Sequence, residues 1–102
     1  MSRTPKKAKL EENTLLSHLE ELAQGLDVEV RYEPMRRDGP TFPGGLCRVK
    51  GKYVLIIDSK AVTWDKIQTL AKGLHRFDLS QVYLRPGVRE FLDRVAKRYP
   101  SP

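Results

Sequence analysis

The pattern of apolar and polar positions divides the chain into three amphipathic helices and three strands. Apolar residues recur at spacings of three and four along 15–26, 64–74 and 88–95, which is typical of helices with one buried face. Between the first two helices, residues 28–32 alternate apolar and polar positions, as a half-buried strand near a sheet edge does. The third helix is predicted to begin at Pro86, because proline suits the first turn of a helix.

Two further apolar runs predict a β-hairpin whose turn lies at residues 50–52. A glycine in the turn adopts positive φ at no steric cost. The run 53–57 is apolar throughout, which is typical of a strand covered on both faces, so we place it at the centre of the sheet. The run 46–50 alternates, with Cys47 and Val49 on one face, and predicts a strand with one buried and one wetter face.

Capping residues complete the predicted fold. We expect Asn13 or Thr14 to cap the first helix, Gly25 to end it, and Thr63 to cap the second helix. Glycine inside a helix costs about 1 kcal/mol relative to alanine, so Gly73 predicts either close packing or an early helix end. Together these features predict an α+β fold: a small three-stranded sheet with a central β-hairpin, covered by three helices.

Length and composition indicate one domain. The 102 residues, 39% of them hydrophobic, suffice for a single core. Residues 1–10 are predicted to be a flexible basic tail, and residues 11–99 a single α+β domain. We expect a cytoplasmic protein without a membrane partner, because no apolar run is long enough to span a bilayer and the basic N-terminus lacks the core of a secretory signal. One cysteine excludes an intramolecular disulfide, and we expect no metal and no cofactor.

Charge is divided sharply along the chain, which carries a formal net charge of +6. Residues 11–35 contain seven acids and one arginine, whereas 36–60 and 85–98 carry a positive surplus. This division favours an acidic partner, although it is also compatible with neutralisation within the molecule or in a dimer. The candidate binding residues are the positive and aromatic side chains of the hairpin region and the third helix: Arg36, Arg37, Arg48, Lys50, Lys52, Tyr53, Arg85 and Arg89.

Two of these candidates lie at the predicted start of the third helix. Helix N-terminal amides bind anions, and Arg85 and Arg89 are placed to assist. The alternative is that Arg89 pairs with Asp93, four residues along the same exposed helix face.

Cys47 is the candidate for a reactive thiol. Reactivity requires a neighbour that lowers the thiol pKa, and His75 is the reasonable partner in this sequence. The alternative is that Cys47 is a small buried strand residue and that His75 interacts with the dipole at its helix end.

Four segments carry a resemblance to a known family: 22–30, 44–46, 54–57 and 66–74. Their order resembles the core of the small bacterial zinc peptidases that cleave phage-type repressors. The resemblance implies a helix with a His-Glu-x-x-His motif, in which two histidines bind the metal and the glutamate acts on the bound water. This chain has Lys72 and Gly73 at the first two motif positions, so the resemblance implies a zincin-like scaffold without metal.

These observations lead to three hypotheses. The first is a non-catalytic, small cytoplasmic interaction domain of unknown specific role, whose partner is a protein or a second copy of the chain. The alternative is a nucleic-acid-binding protein that uses the basic hairpin and the tail. An enzyme that uses the Cys47 thiol or a degenerate metallopeptidase-like cleft ranks third.

Overall fold

The computed structural model describes residues 4–34 and 45–98, with side chains from residue 12 onward in these ranges. The elements are helix α1 (Thr4–Gly25), strand β1 (Val28–Glu33), strand β2 (Gly45–Val49), strand β3 (Lys52–Asp58), helix α2 (Thr63–Leu74) and helix α3 (Pro86–Arg98). The predicted α+β class and order of elements are confirmed. No described helix combines the length and apolar character needed to cross a membrane.

The sheet is mixed and has β3 at its centre. Strand β1 pairs parallel to β3, and β2 pairs antiparallel to it. Lys50 and Gly51 form the turn between β2 and β3, with φ of 52° and 80°. Positive φ at both positions defines a type I′ turn, whose twist matches that of the flanking strands. The predicted hairpin, the central position of 53–57 and the edge position of 28–32 are therefore confirmed.

The described helices cover one face of the sheet. Helix α1 lies against β1, α2 lies against β3 and β2, and α3 packs against α1 and α2. Leu55 of β3 belongs to the core formed with the helices, whereas its neighbour Val54 does not, although Val54 is only 2% exposed. Successive strand side chains point to opposite faces. Among the described elements, the helices thus pack on one face of β3, and the opposite face, also predicted to be covered, carries the buried side chain of Val54.

Helix α2 packs close to β3 because Gly73 has no side chain. A Cβ atom added at Gly73 would lie 3.0 Å from Cδ1 of Leu55, and α2 continues to Leu74. Of the two interpretations of Gly73, close packing is therefore confirmed. The predicted cap at Thr63 is wrong: Thr63 is the first helical residue, and Val62 takes the extended cap conformation without a side-chain hydrogen bond.

Helix α1 is longer than predicted. It begins at Thr4, so the predicted cap at Asn13 or Thr14 is wrong, because the preceding lysine-, alanine-, leucine- and glutamate-rich residues favour continuation of the helix. Gly25 is its last residue as predicted, but the left-handed residue that follows is Asp27, with φ of 63°. The domain boundary at residue 10 stays a prediction.

The third helix buries the predicted face. Val88, Phe91, Leu92 and Val95 are all buried in the core. Trp64 of α2 remains 43% exposed, and its ring packs edge-on against Phe91 with a centroid separation of 5.7 Å. This contact packs α2 against α3 at the edge of the core.

Candidate interaction groove at the edge of β2

A groove of about 370 Å³ lies between β2 and the chain that follows α2. We call it the β2 groove, and it is lined by Leu46, Cys47, Arg48, Tyr53, Arg76 and Phe77. Among the residues that the structure describes, two arginines and two aromatic residues contribute to this lining, and no acidic residue does. The lining therefore suits a partner that offers negative charge next to apolar groups.

Strand register and the end of α2 create this groove. Arg48 pairs with Tyr53, and Leu46 pairs with Leu55, so the side chains of Leu46 and Arg48 lie on the face of the sheet that carries the helices. Helix α2 ends at Leu74, and Arg48 is exposed. The N–H of Phe77 then donates to the carbonyl of Leu74 at 3.1 Å, in a turn that brings Arg76 and Phe77 to the groove.

Contacts within the groove order its aromatic side chains. The rings of Tyr53 and Phe77 lie 5.1 Å apart at 82°, an edge-to-face arrangement. The Arg48 guanidinium lies 5.1 Å from the Tyr53 ring centroid. Such contacts stabilise by about 0.5–1.5 kcal/mol for an aromatic pair and about 0.5–1 kcal/mol for an exposed cation–π pair. The groove is therefore partly preorganised, and one face of the Tyr53 ring is already covered by a cation.

A second groove, of about 420 Å³, lies at the opposite edge of the sheet. It is lined by Glu20, Gln24, Val28, Glu29, Val30 and Tyr32. The Tyr32 hydroxyl donates a hydrogen bond to the Glu20 carboxylate. Burial, followed by this hydrogen bond, raises the pKa of Tyr32 above its ordinary value. Two glutamates thus line the groove at the β1 edge, whereas two arginines line the groove at the β2 edge.

On β1, Glu29 pairs with Arg31 at 2.7 Å, with both side chains exposed. Their hydrogen bond lowers the pKa of Glu29 and raises that of Arg31. This pair occupies the face of β1 opposite to Val28 and Val30, because side chains alternate along a strand. Glu29 is therefore partly neutralised, whereas Glu20 accepts the hydrogen bond of Tyr32, whose ring has the Lys66 ammonium 5.6 Å from its centroid.

The structure brings some of the predicted binding residues together and separates others. Arg48 and Tyr53 line the β2 groove. Lys50 lies in the adjoining turn, and Lys52 is the first residue of β3. Arg36 and Arg37 lie outside the described residues. The remaining two candidates, Arg85 just before α3 and Arg89 within it, do not line this groove.

Those two arginines lie at the start of α3. Arg85 forms an exposed ion pair with Glu21 of α1, with 3.3 Å between Nη2 and Oε1, so part of its charge is already compensated. Arg89 is exposed, and its N–H donates to the Arg85 carbonyl at 2.9 Å as the helix begins. The alternative ion pair between Arg89 and Asp93 is not formed among the described side chains. The predicted anion site at this helix end stays a prediction.

Cys47 is half-buried, and Arg76 rather than His75 accompanies it in the groove lining. The predicted thiol–imidazole pairing is therefore not formed at this groove. Sequence reasoning missed Arg76 and Phe77. The available signal was an aromatic residue, Phe77, three positions after Leu74, the last apolar position of the second helix.

Comparisons with known proteins do not bear on the resemblance to the zinc peptidases. No known protein family, curated protein or solved structure matches this chain. Among the described residues, no three His, Cys, Asp or Glu side chains are grouped so as to hold a metal ion. Gly73, at the position of the catalytic glutamate in the resemblance, instead packs against Leu55. The resemblance to the zinc peptidases stays a prediction.

Proposed function

We propose that the protein is a non-catalytic interaction domain that binds an acidic segment of another protein in the β2 groove. One observation carries this proposal: Arg48 and Arg76 line a groove to which the described part of the chain contributes no acidic residue. Acidic residues instead line the groove at the β1 edge. An acidic partner is therefore attracted more strongly to the β2 side of the molecule than to the β1 side.

The aromatic residues support a protein partner. Aromatic residues and arginine are enriched where protein interfaces derive most of their binding energy. Tyr53 is 36% exposed and is held by Arg48 and Phe77, so little conformational freedom is lost when a partner contacts it. Ordering of a side chain on binding opposes association by about 0.5–1.5 kcal/mol. Because Tyr53 is already ordered in the free protein, this unfavourable term is smaller here.

Nucleic-acid binding is the second candidate, and the positive charge of Arg48, Lys50 and Lys52 on one hairpin favours it. Single-stranded nucleic acids, however, bind by stacking bases on aromatic rings. The Tyr53 ring has one face covered by the Arg48 guanidinium and a perpendicular neighbour in Phe77. This arrangement favours contact with a polypeptide over base stacking.

A direct test uses a fluorescein-labelled, terminally blocked peptide, Thr-Glu-Thr-Val-Thr-Glu-Thr, here called the Glu-Val-Glu peptide. Its affinity is measured by fluorescence anisotropy for the wild type and the double variant Arg48→Gln/Arg76→Gln. The matched control is Arg94→Gln/Arg98→Gln, which removes two positive charges from α3 instead. We expect at least tenfold weaker binding for the groove variant and less than a threefold change for the control.

Equal loss of affinity in both variants would contradict the proposal, because it would indicate attraction by net charge alone. A labelled single-stranded oligonucleotide provides the other arm of the test. Tighter binding of the oligonucleotide than of the peptide, with affinity falling steeply as salt rises, would favour nucleic-acid binding. Light scattering at the same protein concentrations shows whether a second copy of the chain competes for the groove.

A further inference from the structure

We propose that the partner segment binds as an additional β-strand along the free edge of β2, with an acidic side chain next to Arg48 and an apolar one next to Leu46. This inference rests on the proposed function and specifies its binding mode and the sequence of its ligand. Addition of a strand to an exposed sheet edge is a recurring mode of peptide recognition, in which main-chain hydrogen bonds supply affinity.

The hairpin determines which backbone groups of β2 are available. In a hairpin closed by a two-residue turn, the residues that flank the turn form a hydrogen-bonded pair; here they are Val49 and Lys52. Bonded and non-bonded pairs alternate along an antiparallel ladder. Cys47 is therefore bonded to β3, whereas Leu46 and Arg48 direct their N–H and C=O groups away from it. Among the described strands, none pairs with that side of β2.

Leu46 and Arg48 are also the two β2 residues whose side chains lie on the helix-bearing face and line the β2 groove. Free backbone groups and groove side chains thus come from the same residues. A strand added here would form up to four main-chain hydrogen bonds with them. Its alternate side chains would enter the groove.

This geometry specifies the pattern of the ligand. Side chains directly opposite on neighbouring strands lie about 4.5–5.5 Å apart at Cβ, so the ligand residue opposite Arg48 lies near its charge. Arg76 reinforces the preference for an acid at that position. Two residues away, the ligand side chain lies beside Leu46 and suits an apolar group. The ligand class is therefore an extended segment with an acidic residue two positions from an apolar one.

The other sheet edge does not offer the same site. Strand β1 borders the acidic groove that contains Glu20 and Glu29, and Glu33 lies at the end of the strand. Like charges across neighbouring strands are destabilising. An acidic segment is therefore expected to select the β2 edge over the β1 edge.

The test measures amide hydrogen exchange by NMR on the full chain, with and without the Glu-Val-Glu peptide. The amides of Leu46 and Arg48 are expected to exchange rapidly in the free protein and at least tenfold more slowly in the complex. The amides of Cys47 and Val49 serve as internal controls, because their bonds to β3 protect them in both states. Slow exchange of Leu46 and Arg48 without peptide would overturn the inference, since the edge would already be occupied.

Two N-methylated isomers of the peptide provide an independent readout. One is methylated at its Glu and Val residues and the other at its central Thr residues, so each blocks the N–H groups on one side of an extended strand. We expect one isomer to bind at least tenfold more weakly than the other, since only one side faces β2. Equal affinity of the two isomers overturns strand addition.

The two proposals fail in different ways. If the Glu-Val-Glu peptide binds with no change in the exchange of Leu46 and Arg48, the groove is a binding site and strand addition is wrong. If the peptide does not bind, the proposed function fails, and strand addition fails with it.

Discussion

Replacement of Gly73 by alanine tests how tightly α2 packs on the sheet. In a helix interior, alanine is favoured over glycine by about 1 kcal/mol, so an unhindered substitution would stabilise the protein. At Gly73, however, the new Cβ would lie 3.0 Å from Cδ1 and 3.3 Å from Cγ of Leu55. Carbon atoms pack best at about 3.5–4.0 Å, so the two groups must separate by about half an ångström.

Leu55 has little room to yield. It is 0% exposed and lies on the central strand, with β1 on one side and β2 on the other. Overpacking a well-filled core costs about 1–3 kcal/mol. Set against a helix-propensity gain of about 1 kcal/mol, this predicts that Gly73→Ala lowers the free energy of unfolding by about 1 kcal/mol. The melting temperature should fall by about 4–8 °C for a domain of this size.

The assay is urea unfolding followed by circular dichroism at 222 nm, with the slope of free energy against urea checked for constancy. Gly87→Ala in α3 is the matched control, because, apart from its chain neighbours and its own helix backbone, no atom of the described residues lies within 4 Å of a Cβ added there. It should raise the free energy of unfolding by a few tenths to 1 kcal/mol. The same chemical change is therefore expected to have opposite signs at the two positions.

A second substitution, at Leu55, tests whether this side chain causes the effect of Gly73→Ala. Leu55→Val removes the atom closest to the added Cβ, so Gly73→Ala should be less harmful, or stabilising, when the two changes are combined. The double variant should be more stable than the sum of the two single effects predicts, with an interaction energy on the order of 1 kcal/mol. Stabilisation by Gly73→Ala alone, equal to that at Gly87, would refute the packing explanation.

Three further predictions concern the turn, the α2 cap and alkaline pH. Lys50→Asn should raise the free energy of unfolding by about 0.5–1 kcal/mol in urea unfolding, because asparagine tolerates the positive φ that this lysine adopts. Val62→Ser should stabilise by about 1 kcal/mol in the same assay, since Val62 is 66% exposed and leaves the start of α2 without a side-chain cap. The pKa of Tyr32 is raised in the folded state. Its contribution to the free energy of unfolding is therefore fully present below about pH 10 and is lost as pH rises through the folded-state pKa. In urea unfolding between pH 9 and 11, the free energy of unfolding should therefore fall more steeply with pH for the wild type than for Tyr32→Phe. Glu20→Gln should remove only part of this difference in slope, because burial is the larger cause of the raised pKa.

Much of the fold was predictable because hydrophobic periodicity records which residues face the core. The spacing of Val88, Phe91 and Val95 reflects one buried helix face, and the structure buries all three. The uninterrupted apolar run indicated the central strand for the same reason. The run did not indicate which residues contact the helices: Leu55 joins the core that the helices form, whereas the equally buried Val54 lies on the opposite face of the sheet.

Helix starts were less predictable because they depend on small local free-energy differences. A side-chain cap contributes about 1 kcal/mol, which backbone geometry set by neighbouring elements easily overrides. Thr63 has the right side chain for a cap, yet the chain leaves β3 so that Val62 takes that position. At α1, good helix formers before Asn13 carry the helix on toward Thr4.

The candidate site was predictable only in part. Arg48 and Tyr53 could be chosen because both lie on the predicted hairpin. Arg76 and Phe77 meet them only through the turn after α2, across more than twenty residues of sequence. Proximity of this kind depends on tertiary packing and leaves no local signature.

The parallel pairing of β1 with β3 also affects the order in which the molecule can fold. Each β1 residue pairs with one twenty-five positions later, as Val28 does with Tyr53, whereas β2 and β3 are joined by a tight turn. Closing a long loop opposes early pairing, so local contacts form faster. During synthesis, α1 and β1 leave the ribosome before β3 does, so β1 cannot pair until the hairpin has also emerged.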